Sequence, residues 1–213
     1  MDQWDPRDFH LARRDLNGDA KTTTVELGDI RVSSSEVWNG LIYEISETID
    51  DDCLEELKIA NIFDVNGTIE SWPLSIIETK SSNLKILTLS DSQESLGREN
   101  RECLVEMASH ICAISTCLSQ LTVSRTETEK EVGDMLLQSM CDAENLVSLQ
   151  KVNFSDNEKW FAGRQEPIEM LVRILSRQPA LSEVKLGGCG LDAGQKDQIT
   201  SALAGRKVTF YRS

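Results

Sequence analysis

The 213-residue chain is poor in aromatic side chains, which make up 5% of it, and it has only four prolines. A core at that composition has to be assembled from Leu, Ile and Val in aliphatic layers. The 39% hydrophobic content is enough for one sizeable domain. Histidine is nearly absent, with His10 and His110 the only two, so the side chain most used for acid–base and nucleophilic chemistry near neutral pH is in short supply. No enzyme and no cofactor are expected. No apolar run approaches the roughly eighteen residues of a membrane span, and residues 1–21 are polar with no hydrophobic signal region. The expectation is a cytoplasmic protein without membrane insertion. The 22 Lys and Arg are outnumbered by 36 Asp and Glu, a formal net charge of −14. That balance disfavours nucleic acid, whose phosphates call for clustered cations, and by the same reasoning an acidic partner. The six cysteines contain no CxxC pair and read as buried reduced thiols.

What the chain does have is a recurring trio of aliphatic residues. In Leu84-Lys85-Ile86-Leu87-Thr88-Leu89-Ser90 the apolar positions are the first, fourth and sixth. The same three positions are filled by Leu54, Leu57 and Ile59, by Leu118, Leu121 and Val123, by Leu149, Val152 and Phe154, and by Leu181, Val184 and Leu186. Val25 with Leu27, and Val208 with Phe210, supply incomplete copies at either end. Unit starts at residues 22, 54, 84, 118, 149, 181 and 205 are spaced by 32, 30, 34, 31, 32 and 24 residues. The ninth position holds Ser92, Thr126, Asn157 and Cys189, side chains able to bond the backbone where strand pairing ends. An earlier unit has Ile62 there, with Asn61 one place early.

Helical stripes separate the trios. They are Val37 to Ile49 behind a cap at Ser34 or Ser35, Cys103 to Ile114, Val132 with Met135, Leu136, Ser139 and Met140, Ile168 to Leu175 behind Pro167, and Ile199 with Leu203. Trp72-Pro73 breaks the stripe between residues 66 and 80. Alternating strands and helices with same-sense crossovers predict an α/β fold with parallel strands, wound as a right-handed solenoid. One unit cannot bury its apolar face alone, so neighbours must stack.

Residues 181–203, with Leu181, Val184, Leu186, Cys189, Leu191, Gly194, Ile199 and Leu203, resemble the ribonuclease-inhibitor type of leucine-rich repeat. That pattern is LxxLxLxxCxLxxxGxxxLxxxL, and this copy is one residue short before Gly194. Similar repeats occur in the C-terminal sensing regions of NOD-like receptors. The resemblance spans about residues 22–213 and implies a horseshoe with a concave parallel sheet and convex helices, about six to seven units long. It also implies recognition of another protein, in an innate-immunity setting, and no reaction. Residues 1–21 then form an N-terminal cap or flank, and the chain reads as part of a larger receptor or complex. Long segments after strands, Asp91 to Glu99 and Asp156 to Glu166, depart from the pattern.

Two-residue alternation places the third, fifth and seventh positions of each unit on the concave face. The candidate partner-binding residues there are Glu56, Lys58, Thr88, Gln120, Thr122, Lys151, Asn153, Glu183, Lys185 and Tyr211. Trp160 and Phe161, just past a strand end, are candidate exposed anchors, set against the alternative that they fold down onto the core. His110, Cys112 and Cys117 invite a zinc reading, but helical spacing does not bring them to one face. Asp15, Asn17, Asp19 and Glu26 fit a calcium-loop template that fails at Ala20. Gly187-Gly188-Cys189-Gly190 matches no phosphate-loop signature and reads as a tight turn. The acidic runs 50–52 and 127–131 read as solvated loops or helix starts. No metal site is expected. A structural subunit of a permanent assembly is the alternative to a recognition module.

Overall fold

The computed structural model describes residues 24–28, 31–32, 34–36, 38–40, 43, 53–60, 62–64, 82–90, 98–203 and 205–211. The flank 1–21, the interrupted stripe at 66–80, the calcium-loop residues 15–19 and Ser92 lie outside them. The fold is α/β. Its strands are β1 (Thr24–Gly28), β2 (Arg31–Val32), β3 (Glu56–Ala60), β4 (Phe63–Asp64), β5 (Ile86–Ser90), β6 (Gln120–Ser124), β7 (Lys151–Asn153), β8 (Glu183–Lys185) and β9 (Lys207–Thr209). Its helices are α1 (Arg98–Ile114), α2 (Lys130–Asp142), the short α3 (Glu158–Phe161), α4 (Glu166–Arg177) and α5 (Ala193–Leu203). Residues 35–36, 38–40 and 43 are helical too, and the first turn closes with the Trp38 amide donating to the Ser34 carbonyl at 3.2 Å.

Seven strands form one open parallel sheet in the order β1-β3-β5-β6-β7-β8-β9, and β2 pairs with β4 in a second, two-stranded one. Main-sheet strands that succeed one another in the chain are neighbours in space, and their pairing register follows the aliphatic trio. Leu57 lies opposite both Val25 and Leu87, then Leu87 opposite Leu121, Leu121 opposite Val152, Val152 opposite Val184, and Val184 opposite Val208. These offsets equal the spacings of the unit starts. A slip of one residue would turn each trio out of the core, so the aliphatic pattern enforces this register.

Leu54, Leu84, Leu118, Leu149 and Leu181 are at most 2% exposed and share one hydrophobic cluster with Leu104, Leu136, Leu171 and Ile199 of the helices. The helices therefore cover one face of the sheet. Each buried Leu contributes about 1.5–3 kcal/mol. In α2 the buried face is Gly133, Leu136, Leu137, Met140 and Cys141, whereas Met135 and, in α1, Ile114 are exposed. The expected stripes thus take in two residues that rotate out of the core, because 100° per residue favours Leu137 and Cys141. Trp38, which is not among the stripe residues Val37, Leu41, Ile42, Ile45 and Ile49, is 1% exposed.

Beyond the strands, backbone geometry recurs at the eighth position. Arg125 (φ 58°), Asp156 (φ 61°) and Gly188 (φ 71°) are all left-handed, although only glycine adopts that region without a penalty, about 1–2 kcal/mol for other residues. The chain continues pairing there, with the Arg125 amide donating to Ser155 O at 3.1 Å and the Asp156 amide to Gly187 O at 2.7 Å.

At the helix C-termini, side chains from the following turn hold the last carbonyls. The Asn145 amide donates to Ala113 O and Ser115 O, and Arg177 Nη1 donates to Cys141 O at 2.6 Å. Arg206 donates to the carbonyls of Leu175, Gln178, Leu181, Ala202 and Leu203. Carbonyls that end a helix have no partner within it, and these cations also meet the negative end of the helix dipole.

Candidate functional site

Two polar regions flank the core strands, one buried and one open. The buried one sits in the turns past β6, β7 and β8. Asn157, fully buried, donates through Nδ2 to Val123 O at 2.8 Å and Phe154 O at 3.2 Å. Its Oδ1 accepts from the Thr126 amide at 3.0 Å and the Thr126 hydroxyl at 2.9 Å. Cys189 Sγ donates to Phe154 O at 3.1 Å. The ninth-position side chains at 157 and 189 thus bond backbone across neighbouring turns as their residue types predict, while Thr126 bonds the Asn157 side chain and the Ile62 side chain lies in the core.

Trp160 and Phe161 are 0% exposed. Of the two readings of this pair the structure shows the one folded down onto the core, which corrects their place among the partner-binding candidates in the segment 156–166. The segment forms α3, which folds both rings onto Phe154 at centroid distances of 5.9 and 6.4 Å. The Trp160 indole N–H donates to Thr128 Oγ1 at 2.9 Å, so the ring is buried with its one polar atom satisfied. Gly133 makes room for it, since a Cβ at that position would lie 2.5 Å from the indole.

The zinc candidates do not share one environment. His110 is exposed while Cys112 is buried, with its thiol pushed up to about 12 by desolvation. Burial pushes the Cys189 thiol up to about 12 as well. Among the described residues no group of three His, Cys, Asp or Glu side chains could hold a metal ion. Half of the cysteines are only partly buried, namely Cys53, Cys103 and Cys117, and all six are free thiols. Residues 187–190 form a turn between β8 and α5. On the helix side a groove of about 660 Å³ lies between α4 and α5, lined by Glu169, Val172, Ser176, Asp197, Gln198 and Ala202. Its lining contains no histidine, cysteine or cation.

The open region is the other face of the seven-stranded sheet, away from the helices. The candidate residues lie together on it. Glu56, Lys58, Thr88, Gln120, Thr122, Asn153, Glu183 and Lys185 are half-buried among their neighbours and Lys151 is exposed. Tyr211 is 84% exposed just past β9. Rows of Cα partners run across the strands, Glu56-Ile86-Gln120-Lys151-Glu183-Lys207 in one and Lys58-Thr88-Thr122-Asn153-Lys185-Thr209 in the next.

Charge divides this face. On the N-terminal strands Lys58 is ion-paired to Glu26, and just before β5 Lys85 is paired to Glu55 at 2.7 Å. On the C-terminal strands Glu183 binds Lys207 at 2.8 Å. That hydrogen bond, first, holds the Glu183 carboxyl below the usual range; burial opposes it, and the charges of Lys207, Lys185 and Lys151 reinforce it. Lys151 and Lys185 have no ion pair of their own among the described residues. Lys207 belongs to the same cluster, and its signal in the sequence was the shorter 24-residue spacing from Glu183.

No helix among the described residues is long and apolar enough to cross a membrane. No protein-family model matches the chain, and no curated protein matches it either.

Proposed function

We propose that the chain is a right-handed leucine-rich-repeat solenoid of the ribonuclease-inhibitor type, and that it recognises another protein through its open sheet face. Seven parallel strands in chain order, in the register of the aliphatic trio, support the solenoid. The preference of parallel crossovers for one hand supports its winding. The observation that carries the functional reading is the sheet face itself. It is seven strands wide, outside the core, and lined by polar side chains in straight rows. A sheet whose second face is left open needs no more than solvation for stability, so a row of Thr, Gln, Asn and Lys is free to meet a partner. The NOD-like receptor resemblance assigns such a face to sensing, and the same role is proposed for this chain.

The test is site-specific photo-crosslinking from the intact chain in cell extract. A crosslinker at Thr122 captures a discrete protein, and one at Gln138, on an exposed part of α2, does not. Capture from Gln138 alone would move recognition to the helices. Capture from neither position would remove the recognition reading.

A further inference from the structure

The open face is not uniform, and its C-terminal end has the opposite sign to the molecule. Lys151, Glu183 and Lys207 share one row of Cα partners, and Lys185 follows Glu183 by two residues on β8. With strands about 4.8 Å apart, Lys151 and Lys207 start about 10 Å from each other across Glu183, and Lys185 starts about 7 Å away along its strand. Three cations therefore surround one carboxylate on a chain of net charge −14. At the other end of the sheet Glu26, Glu56 and Lys58 leave a net negative charge, and Lys58 is bonded to Glu26. The two halves thus differ in pairing as well as in sign. Lys58 and Lys85, at the N-terminal strands, are ion-paired to carboxylates of the preceding unit, whereas Lys151 and Lys185 form no ion pair among the described residues, Glu183 being held by Lys207.

Resting on the recognition reading above, we propose that the β7–β9 end of the sheet binds an extended acidic segment of the partner protein, whose carboxylates are taken by Lys151 and Lys185. The acidic remainder of the surface repels such a segment and steers it to this end. An extended peptide repeats its side chains on one face about every 7 Å, which suits acidic residues at alternate positions. Glu183 sets the limit: it neutralises Lys207 and leaves two cations for the ligand. Tyr211, 84% exposed at the same end of the sheet, offers the ligand an aromatic contact.

The experiment is fluorescence anisotropy of the intact chain with a labelled peptide of alternating Glu and Thr, at low and at physiological salt. The same peptide with Lys in place of Glu, and a single-stranded oligodeoxynucleotide, are the other arms. The Glu peptide binds, more weakly as salt rises. The pair Lys151→Glu and Lys185→Glu weakens it about tenfold or more, with an unchanged urea midpoint, and Lys130→Glu at the start of α2 leaves it as it was. The single variants Lys151→Ala and Lys185→Ala each give part of the loss. Glu183→Gln tightens binding. Equal binding of the Lys peptide, tighter binding of the oligonucleotide, or full binding by the double variant overturns the proposal. If the Thr122 crosslink still captures a protein in that case, the recognition face stands and only its acidic ligand falls.

Discussion

Strand β7 carries both kinds of polar surface within a few residues. Past its end Asn157 is buried, and each polar atom of its amide has a partner on a neighbouring turn. At its start Lys151 is exposed and has no ion pair among the described residues. A buried amide without partners would cost about 1–3 kcal/mol per orphaned group, so its bonds are a condition of the fold. An exposed ammonium is solvated by water, and the fold does not depend on it. The difference separates residues that hold the turns in stack from residues available to a ligand. It predicts large stability effects in the turns and almost none on the sheet face.

The strongest test of that contrast is Asn157→Ala. It takes the Asn157 side chain from the Thr126 amide and the Val123 carbonyl and leaves Phe154 O to the Cys189 thiol alone, and a loss of about 2–3 kcal/mol is expected from urea unfolding. A loss below about 1 kcal/mol would show that water replaces the side chain and that the turns are not a closed network. Gly133→Ala comes next. Its new methyl overlaps the Trp160 ring, for about 2–3 kcal/mol. Trp160→Leu relieves part of that cost, so the double variant is less destabilised than the sum of the singles.

Arg206→Ala removes donors from the last carbonyls of α4 and α5. About 1–2 kcal/mol is expected, because the site is partly solvated. Lysine restores little of it, lacking the planar fork that reaches several carbonyls at once.

The smallest effect is at Glu183. Its carboxyl is held below the usual range by Lys207, so its contribution is present above the ordinary carboxylate pKa and is lost as pH falls through the folded value. Glu183→Gln flattens that acid limb slightly in a pH series of thermal midpoints and changes little at neutral pH. A large loss at neutral pH would place Glu183 with the turn residues and erase the distinction between the two regions.

Much of the strand layout was readable from the chain alone. Leu57, Leu87, Leu121, Val152 and Val184 recur at intervals that became the pairing register, because only that register buries all of them. Helix positions were readable as well, but their phase drifted by a residue at Met135. The aromatic pair could not be assigned by spacing. Whether Trp160 folds inward depends on Gly133, a residue distant in sequence that leaves the space, and on Thr128, which satisfies the indole. Nor does a net charge report a local one: −14 over the chain disfavours an acidic partner, yet three lysines from three strands meet at one end of the sheet.

Strand register and the division into core and open face were determined by the sequence itself. Aliphatic residues at fixed intervals have one arrangement that removes them all from water, and that preference is summed along the chain. The stapling of helix ends by Arg177 and Arg206, the burial of Trp160 and the gathering of Lys151, Lys185 and Lys207 were decided only by the tertiary structure. Each depends on groups about thirty residues apart arriving at hydrogen-bonding or Coulombic range, which no local pattern encodes.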